Sequence, residues 1–384
     1  MKLLYVYTAL TTKGGTDRVL SSKANWLAAH GYDVLIVTDS QIGRKPAFPL
    51  SSKVRLHDLA IDFGKEYGHN FMIRMLIYYR LMFQYRKKLA DVIRRENPDI
   101  IISTLGRDIS FIHKIKGHSK CIGEAHTTRY FIRNFHLLEK RNSLFKYLTK
   151  FFRWRMDCDV DKLDALVVLA EEHRTDWKCH VPIFVIPNSL SFYPKEISRC
   201  SNHKVIMVGR YNDAKGYDYL IPAWEIVYQR HPDWILDVYG SGELRDQVIE
   251  WIREKHLEES IILHDPVDNI MEKYMDSSIC VLSSRYEGFS LVILEAMSCG
   301  VPVVSFDCPH GPRNIIKNGE DGLLTDYLNY HALADGICKL IENDSLRRQL
   351  GASARKNVLR FSQDSIMEQW EDLFHKLVND STNE

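Results

Sequence analysis

Three loops of this 384-residue chain carry residues whose types and spacing can do chemistry. The first, Thr8-Ala9-Leu10-Thr11-Thr12-Lys13-Gly14-Gly15-Thr16, follows a short apolar run and leads into a helical pattern. Glycines there place bare backbone N–H groups beside the positive end of a helix, which suits a phosphate or a carbohydrate attached to one. The spacing is neither G-x-G-x-x-G nor a Walker loop, so it does not indicate a dinucleotide or ATP site, and the pair also reads as a plain tight turn. The second loop is Val208-Gly209-Arg210-Tyr211-Asn212-Asp213-Ala214-Lys215-Gly216. Arg210 as a fork and Lys215 as a point charge, each beside a glycine, can converge on a diphosphate. The third runs from Ser283 to Gly300 and carries Glu287 and Gly288 before Ser290, a plausible N-cap of a helix reaching Cys299. The amides of Ser290 and Leu291 would be free there, and Glu295, one turn on, would reach back toward them. Two carboxylates so placed accept hydrogen bonds from polyol hydroxyls. The plainer alternative makes Glu295 a cap of its own helix and Glu287 a solvated acid.

Strands must present these loops. Lys2–Tyr7, Asp33–Thr38, Ile100–Ser103, Lys120–Gly123 and Ala165–Leu169 read as strands, with a helix near Thr16–His30. After the polar stretch Ser189 to His203 the pattern restarts. Lys204–Val208, Trp234–Tyr239, Ile261–Leu263, Ile279–Ser283 and Val303–Ser305 alternate with helices near Asp218–Arg230, Glu243–His256 and Leu291–Cys299. The expected fold is α/β: two doubly wound, Rossmann-like domains with parallel sheets whose carboxyl ends face a central cleft. We expect domains at 1–188 and 189–362, with a helix in 363–384 packing back toward the interdomain region.

Composition narrows the class. With 45% hydrophobic and 26% charged residues the chain reads as globular, neither collagen-like nor disordered. No uninterrupted apolar run approaches the roughly 20 residues that span a bilayer. The start, Met1-Lys2-Leu3-Leu4-Tyr5-Val6-Tyr7, lacks the pattern of a secretory signal, so a cytoplasmic protein is expected. The eight cysteines show no metal-site spacing and read as reduced packing residues. The overall charge of +1 hides a division: residues 1–190 hold 31 Lys+Arg against 19 Asp+Glu, and the remainder is correspondingly acidic. The first half should therefore meet something anionic.

Two helical stretches carry much of that charge. In one, Phe71, Met75, Tyr78, Met82, Tyr85, Leu89 and Ile93 form a stripe opposite Arg80, Lys87 and Arg94, and Met72, Ile73, Leu76, Ile77 and Tyr79 make its first turns apolar nearly all round. Such turns imply burial between the core and another surface. In the other, Arg129 to Asp157, eight Lys+Arg against two acids interleave with Tyr130, Phe131, Phe135, Phe145, Tyr147, Phe151, Phe152 and Trp154. That mixture fits a surface facing an anionic membrane, or equally a core helix with a solvated basic face. Nucleic acid is the weaker partner, since no recognised nucleic-acid module accompanies the charge.

The Gly209-Arg210 to Lys215-Gly216 loop, the paired Glu287 and Glu295, and Cys308-Pro309-His310-Gly311-Pro312-Arg313 to Gly322-Leu323-Leu324 together resemble family 4 of the retaining GT-B-fold glycosyltransferases. In the first half, Gly14-Gly15 and Glu124 with His126-Thr127 match that family's glycine loop and donor-facing histidine. The likeness is nearest to bacterial enzymes of capsule, exopolysaccharide and lipopolysaccharide assembly. It implies that Arg210 and Lys215 hold the diphosphate of a nucleotide sugar. Glu287, assisted by the amides of Phe289, Ser290 and Leu291, would bind hydroxyls of the transferred sugar, Glu295 the ribose, and His126 the donor sugar from the first domain; Gly14, Gly15, Thr16, Gly209 and Gly288 would be donor-binding as well. No cofactor or metal is implied. Two departures stand out: His264-Asp265-Pro266 replaces the usual glycine where the base is expected, and Asp17-Arg18 follow the glycine loop, giving Arg18 a conceivable acceptor or second-phosphate role.

The resulting expectation is a retaining glycosyltransferase that moves a hexose or N-acetylhexosamine from a nucleotide diphosphate sugar, UDP-linked by preference, to a growing glycan. The acceptor would be carried on a polyprenyl diphosphate at the inner face of the plasma membrane. Two rivals stand beside it: a nucleotide-sugar epimerase or hydrolase on the same fold, and a non-catalytic assembly subunit.

Overall fold

The computed structural model describes residues 1–66, 68–132 and 143–379. Phe135 lies outside the described residues, as do the side chains of Phe71 and Phe145. The chain forms two compact units, one of Met1–Pro187 with the chain from Ile366 onward, the other of Asn188–Ser365.

The first unit is built on a seven-stranded sheet in the order β3-β2-β1-β4-β5-β6-β7. Its strands are β1 (Lys2–Tyr7), β2 (Asp33–Thr38), β3 (Arg55–Asp58), β4 (Ile100–Ser103), β5 (Lys120–Glu124), β6 (Ala165–Val168) and β7 (Ile183–Val185), and every pairing is parallel. The central strands are continuous apolar runs because helices cover both faces, leaving no solvated side to alternate toward. Leu4, Val6, Leu35 and Ile101 pack there against Tyr85 and Leu89 of helix Phe71–Glu96. That helix begins where the Asn70 side chain accepts a hydrogen bond from the Ile73 N–H, and it ends at Asn97 with φ +48.

The second unit repeats the scheme with six parallel strands in the order β10-β9-β8-β11-β12-β13. They are β8 (Lys204–Val208), β9 (Ile235–Tyr239), β10 (Ile261–His264), β11 (Ile279–Leu282), β12 (Val303–Phe306) and β13 (Gly322–Thr325). Trp224, Leu333 and Ile337 from the covering helices fill its core against Val205, Leu236, Val281 and Val304. Two Rossmann-like units of this kind form the GT-B fold.

Every strand expected from sequence is present to within two residues. Three were not anticipated: β3, which is short and polar, and the edge strands β7 and β13. Helices Tyr330–Glu342 and Asp344–Asn357 were not anticipated either. Helix Gln363–Asn379 packs on the first unit, where Tyr32 donates to Glu371 at 2.9 Å and Phe374 meets the Tyr32 ring.

The helix Phe71–Glu96 is covered by the core over only part of its length. Tyr85, Leu89 and Ile93 are buried, but Met75 belongs with the exposed turn made by Met72, Ile73, Leu76 and Tyr79. The sheet is too short to cover a 26-residue helix along its whole length, so among the described residues nothing buries the opening turns of Phe71–Glu96.

Candidate functional site

In the second unit the site is assembled from loops at the carboxyl ends of β8, β9 and β11. The Gly209–Gly216 loop is pinned from two sides. On one, the Gly209 N–H donates to the Tyr239 carbonyl and the Tyr211 N–H to the Ser241 carbonyl, both at 3.0 Å. The approach is so close that a Cβ on Gly240 would lie 1.9 Å from the Gly209 oxygen, and one on Gly242 would lie 2.4 Å from that of Tyr211. On the other side, the Arg285 N–H donates to Ala214 and the Ser283 hydroxyl to Lys215, each at 2.8 Å. Gly216 has φ +63, and a Cβ there would meet the Ser283 carbonyl at 2.1 Å, so only glycine fits on both counts.

This backbone clamp delivers the Lys215 ammonium to Glu287 Oε1 at 2.6 Å. The same oxygen accepts the Ser284 hydroxyl at 2.7 Å, and the backbone of Gly311 packs so tightly on the Glu287 side chain that a Cβ would come within 2.5 Å of it. Arg210 is exposed, and among the described residues its guanidinium has no hydrogen bond or ion pair. Its charge is felt at Tyr286, whose phenol burial pushes up; Asp213 and Glu287 add to that rise, while Arg210 and Arg285 oppose it. Arg285 is committed elsewhere, forking onto both oxygens of Asp218 and lying over the Tyr219 ring.

Gly288 and Phe289 lead from this pair into helix Leu291–Ser298, with Phe289 buried edge-on against Phe361. Ser290 occupies the N-cap position, but its hydroxyl makes no cap hydrogen bond and is buried without a partner. Among the described residues the backbone N–H groups of Phe289, Ser290 and Leu291 have no acceptor either. Glu295 lies one turn further along, 5% exposed, with the Tyr274 hydroxyl donating to its Oε2 at 3.3 Å. At the ends of β9 and β10, His264 Nε2 meets Asp237 at 2.6 Å and the ring stacks on Tyr239 at 4.4 Å. Arg210 and Lys215 on one loop, with Glu287 and the unpartnered amides on the other, are thus the kinds of group that can hold an anion and accept from polyol hydroxyls.

The first unit brings together the other predicted residues. Gly14 precedes helix Gly15–Ala29, and Asp17 folds the glycine loop back on it: its carboxylate accepts from the Tyr7 hydroxyl at 2.5 Å, the Thr12 N–H at 2.7 Å and the Thr12 hydroxyl at 3.0 Å. Thr16 is half-buried on the first turn. The Arg18 guanidinium lies over the Phe48 ring at 4.9 Å. His126 follows β5 with Nε2 3.6 Å from Glu124 Oε1, and among the described residues both its buried ring nitrogens lack a hydrogen-bond partner.

Sequence reasoning missed two features. Gly240-Ser241-Gly242 holds the Arg210 loop in place, and the glycines, spaced by one residue after a strand, were the available signal. Lys23, the ion-pair partner of Glu124, had no signal, being 101 residues away on a helix. A further trio, His231, Cys338 and Glu342, places one potential metal-ligand atom each within 4.8 Å of the others. The Arg230 guanidinium, which donates to Asp335 at 3.0 Å, acts electrostatically on that thiol, and a positive charge so near disfavours a cation there.

The chain matches the family model "Glycosyl transferases group 1" over residues 194–357 and "Glycosyltransferase Family 4" over 13–191. It is 27% identical over 378 residues to an uncharacterized glycosyltransferase of Haemophilus influenzae, covering 96% of this chain and 98% of that one. To the amylovoran biosynthesis glycosyltransferase AmsD of Erwinia amylovora it is 26% identical, covering 97% and 99%. A crystal structure of Staphylococcus aureus TarM in complex with UDP, fondaparinux and α-GlcNAc-glycerol superposes with a TM-score of 0.79 at 18% identity, covering 97% of this chain and all of that one. At that identity the likeness speaks for the fold.

Proposed function

We propose a reaction from one premise: the chain belongs to the GT-B glycosyltransferases of the family 4 type. It transfers a hexose or N-acetylhexosamine from a UDP-linked donor to a growing, lipid-linked glycan of surface polysaccharide synthesis, with retention at the anomeric carbon. The observation that carries this reading is the Lys215–Glu287 pair at 2.6 Å, held on clamped loops, one of which also carries Arg210, unpaired among the described residues. The amylovoran relative supports the glycan class. A poly(ribitol-phosphate) α-N-acetylglucosaminyltransferase of Staphylococcus aureus does so too, 30% identical over 224 residues that make up 56% of this chain and 45% of that one.

In this reading Arg210 and Lys215 hold the donor diphosphate. Negative charge grows on the leaving phosphate as the glycosidic bond breaks, so cations and amides fixed in advance favour the transition state over the ground state. The unpartnered N–H groups of Phe289, Ser290 and Leu291, with the loop at Gly288, supply the rest of the cradle. Glu287, already oriented by Lys215 and Ser284, takes hydroxyls of the transferred sugar, and Glu295 takes the ribose. His126 offers its two ring nitrogens to the donor sugar, and Gly14, Gly15 and Thr16 bring backbone close to it.

The acceptor is proposed to arrive at an anionic membrane face. Met72, Leu76 and Phe83 on helix Phe71–Glu96 and Tyr147 on helix Ser143–Val160 are each about 70% exposed (70%, 69%, 71% and 72%), on elements rich in Arg and Lys. Among the described residues no helix is long and apolar enough to cross a membrane, so contact would be peripheral.

Calorimetric titration with UDP, GDP, ADP and their sugar conjugates tests the donor site. Binding of one nucleotide, weakened in Glu295→Ala, is the expected result, and binding of none by the folded protein would remove the donor assignment. Turnover that needs no acceptor would point instead to a hydrolase or epimerase. Inverted product stereochemistry by NMR would exclude retention.

A further inference from the structure

The first unit holds a charged cluster that the donor-site chemistry leaves unused. The Lys23 ammonium meets Glu124 Oε1 at 2.5 Å, and the two side chains are only 4% and 2% exposed. Trp370 of helix Gln363–Asn379 lies over the ammonium at 3.8 Å and the Tyr5 ring at 5.5 Å, closing it from water on two sides. Glu124 Oε1 also faces His126 Nε2 at 3.6 Å, while Glu124 Oε2 has no hydrogen-bond partner among the described residues. Among the described residues the other charge acting on the imidazole is Asp17, whose two oxygens are occupied by Tyr7 and Thr12.

A buried carboxylate facing an imidazole with nothing to balance it would draw a proton onto the ring. Imidazolium has two N–H donors and no acceptor, so it could give hydrogen bonds to a sugar but take none. Lys23 supplies the missing positive charge from the far side of Glu124. We infer that Lys23 is a positioning residue which, through Glu124 and under the cover of Trp370, keeps His126 neutral and leaves one donor and one acceptor nitrogen free for a ligand hydroxyl.

The titration tendencies agree. Burial pushes the His126 ring below its ordinary value, Lys23 reinforces that, and Glu124 and Asp17 oppose it. Burial also lowers Lys23, against the pull of Glu124. Glu124, which burial alone would raise, is held below the usual carboxylate range by Lys23 and His126. Tyr5, raised by burial and by Glu124, stays neutral. Only the consequence for turnover rests on the donor-site reading; the protonation state of the ring does not.

The test is a pH titration of the full chain labelled with 13C at histidine Cε1, the His126 signal being identified by its loss in His126→Gln. In Lys23→Met the His126 midpoint should rise by about one pH unit or more, roughly a tenfold change in the ratio of protonated to neutral ring. In Glu124→Gln it should fall, and Lys23→Arg should keep it near the wild-type value. The acid limb of kcat/KM should move upward in Lys23→Met by the same interval. A midpoint unmoved in folded Lys23→Met, or moved in the same direction by both neutralising variants, would overturn the inference. If Lys23→Met does not fold, adding it to Glu124→Gln removes the cation without stranding a buried charge, and the midpoint should still rise relative to Glu124→Gln alone. Full turnover by His126→Gln would remove the donor-sugar role of the ring while leaving the titration result standing.

Discussion

Each unit holds a Lys–Glu pair of nearly the same length, 2.5 Å for Lys23–Glu124 and 2.6 Å for Lys215–Glu287. Their surroundings differ. The first pair is sealed under aromatic rings, whereas the second is 17% and 11% exposed, its lysine on a loop that also carries Arg210, unpaired among the described residues. A sealed pair cannot trade its partner for a ligand, because each ion has given up its water and depends on the other. A pair at the mouth of a loop can, since an arriving phosphate replaces the carboxylate as the ammonium's partner. Length alone therefore does not say which pair can exchange its partner for a ligand; access does.

Substitutions can break that contrast, and the largest effect is expected in the sealed pair. Lys23→Met strands a buried carboxylate and should cost about 3–5 kcal/mol of stability in chemical denaturation. Lys215→Ala should cost within about 1 kcal/mol, as partly exposed pairs do. Equal losses would mean that the two pairs play the same part. Next in size, Arg210→Ala and Lys215→Ala should each lower turnover about 100- to 1,000-fold with the fold retained, by analogy with the loss of one oxyanion donor. Either variant keeping most of its activity would take that residue out of the diphosphate site.

Gly216→Ala and Gly240→Ala sharpen the contrast from the backbone side. Each drives a Cβ into a carbonyl oxygen, at 2.1 and 1.9 Å, and should cost about 1–3 kcal/mol while loosening the loop that carries Arg210 and Lys215. Nucleotide affinity falling together with thermal stability would bear this out, and stability falling alone would show that the loop re-forms around the extra methyl. The smallest effect is on pH. Because burial depresses His126 in the folded chain, the unfolded chain binds the proton more readily. Stability should then be complete above the ordinary histidine range and decline as pH falls through it toward the depressed value. His126→Gln should flatten that part of a stability-versus-pH curve recorded in urea.

Much of the fold is legible in sequence, and the reasons are local. Val34 to Val37 or Ile279 to Leu282 can hardly be anything but strands buried on both faces, and the glycines at 209 and 216 mark a loop at a strand end. The strand Arg55–Asp58 shows no such pattern because it lies at an edge, where solvent tolerates its charges. The opening turns of Phe71–Glu96 are apolar all round, which calls for burial between the core and another surface, and within the described residues Met72 and Leu76 stay exposed.

Within the site, sequence by itself determined which groups are available and which lie a few residues apart: Arg210 with Lys215, Glu287 with Glu295, Glu124 with His126. Spacing along a loop or a helical turn constrains reach, so those groupings follow from the chain alone. Only the tertiary structure decided that Lys215 rests on Glu287 across 72 residues while Arg210 stays unpaired, that Ser290 leaves its own helix uncapped, and that Lys23 and Trp370 enclose Glu124. These are contacts between elements distant in sequence, and they set burial and local charge, on which protonation and ligand access depend.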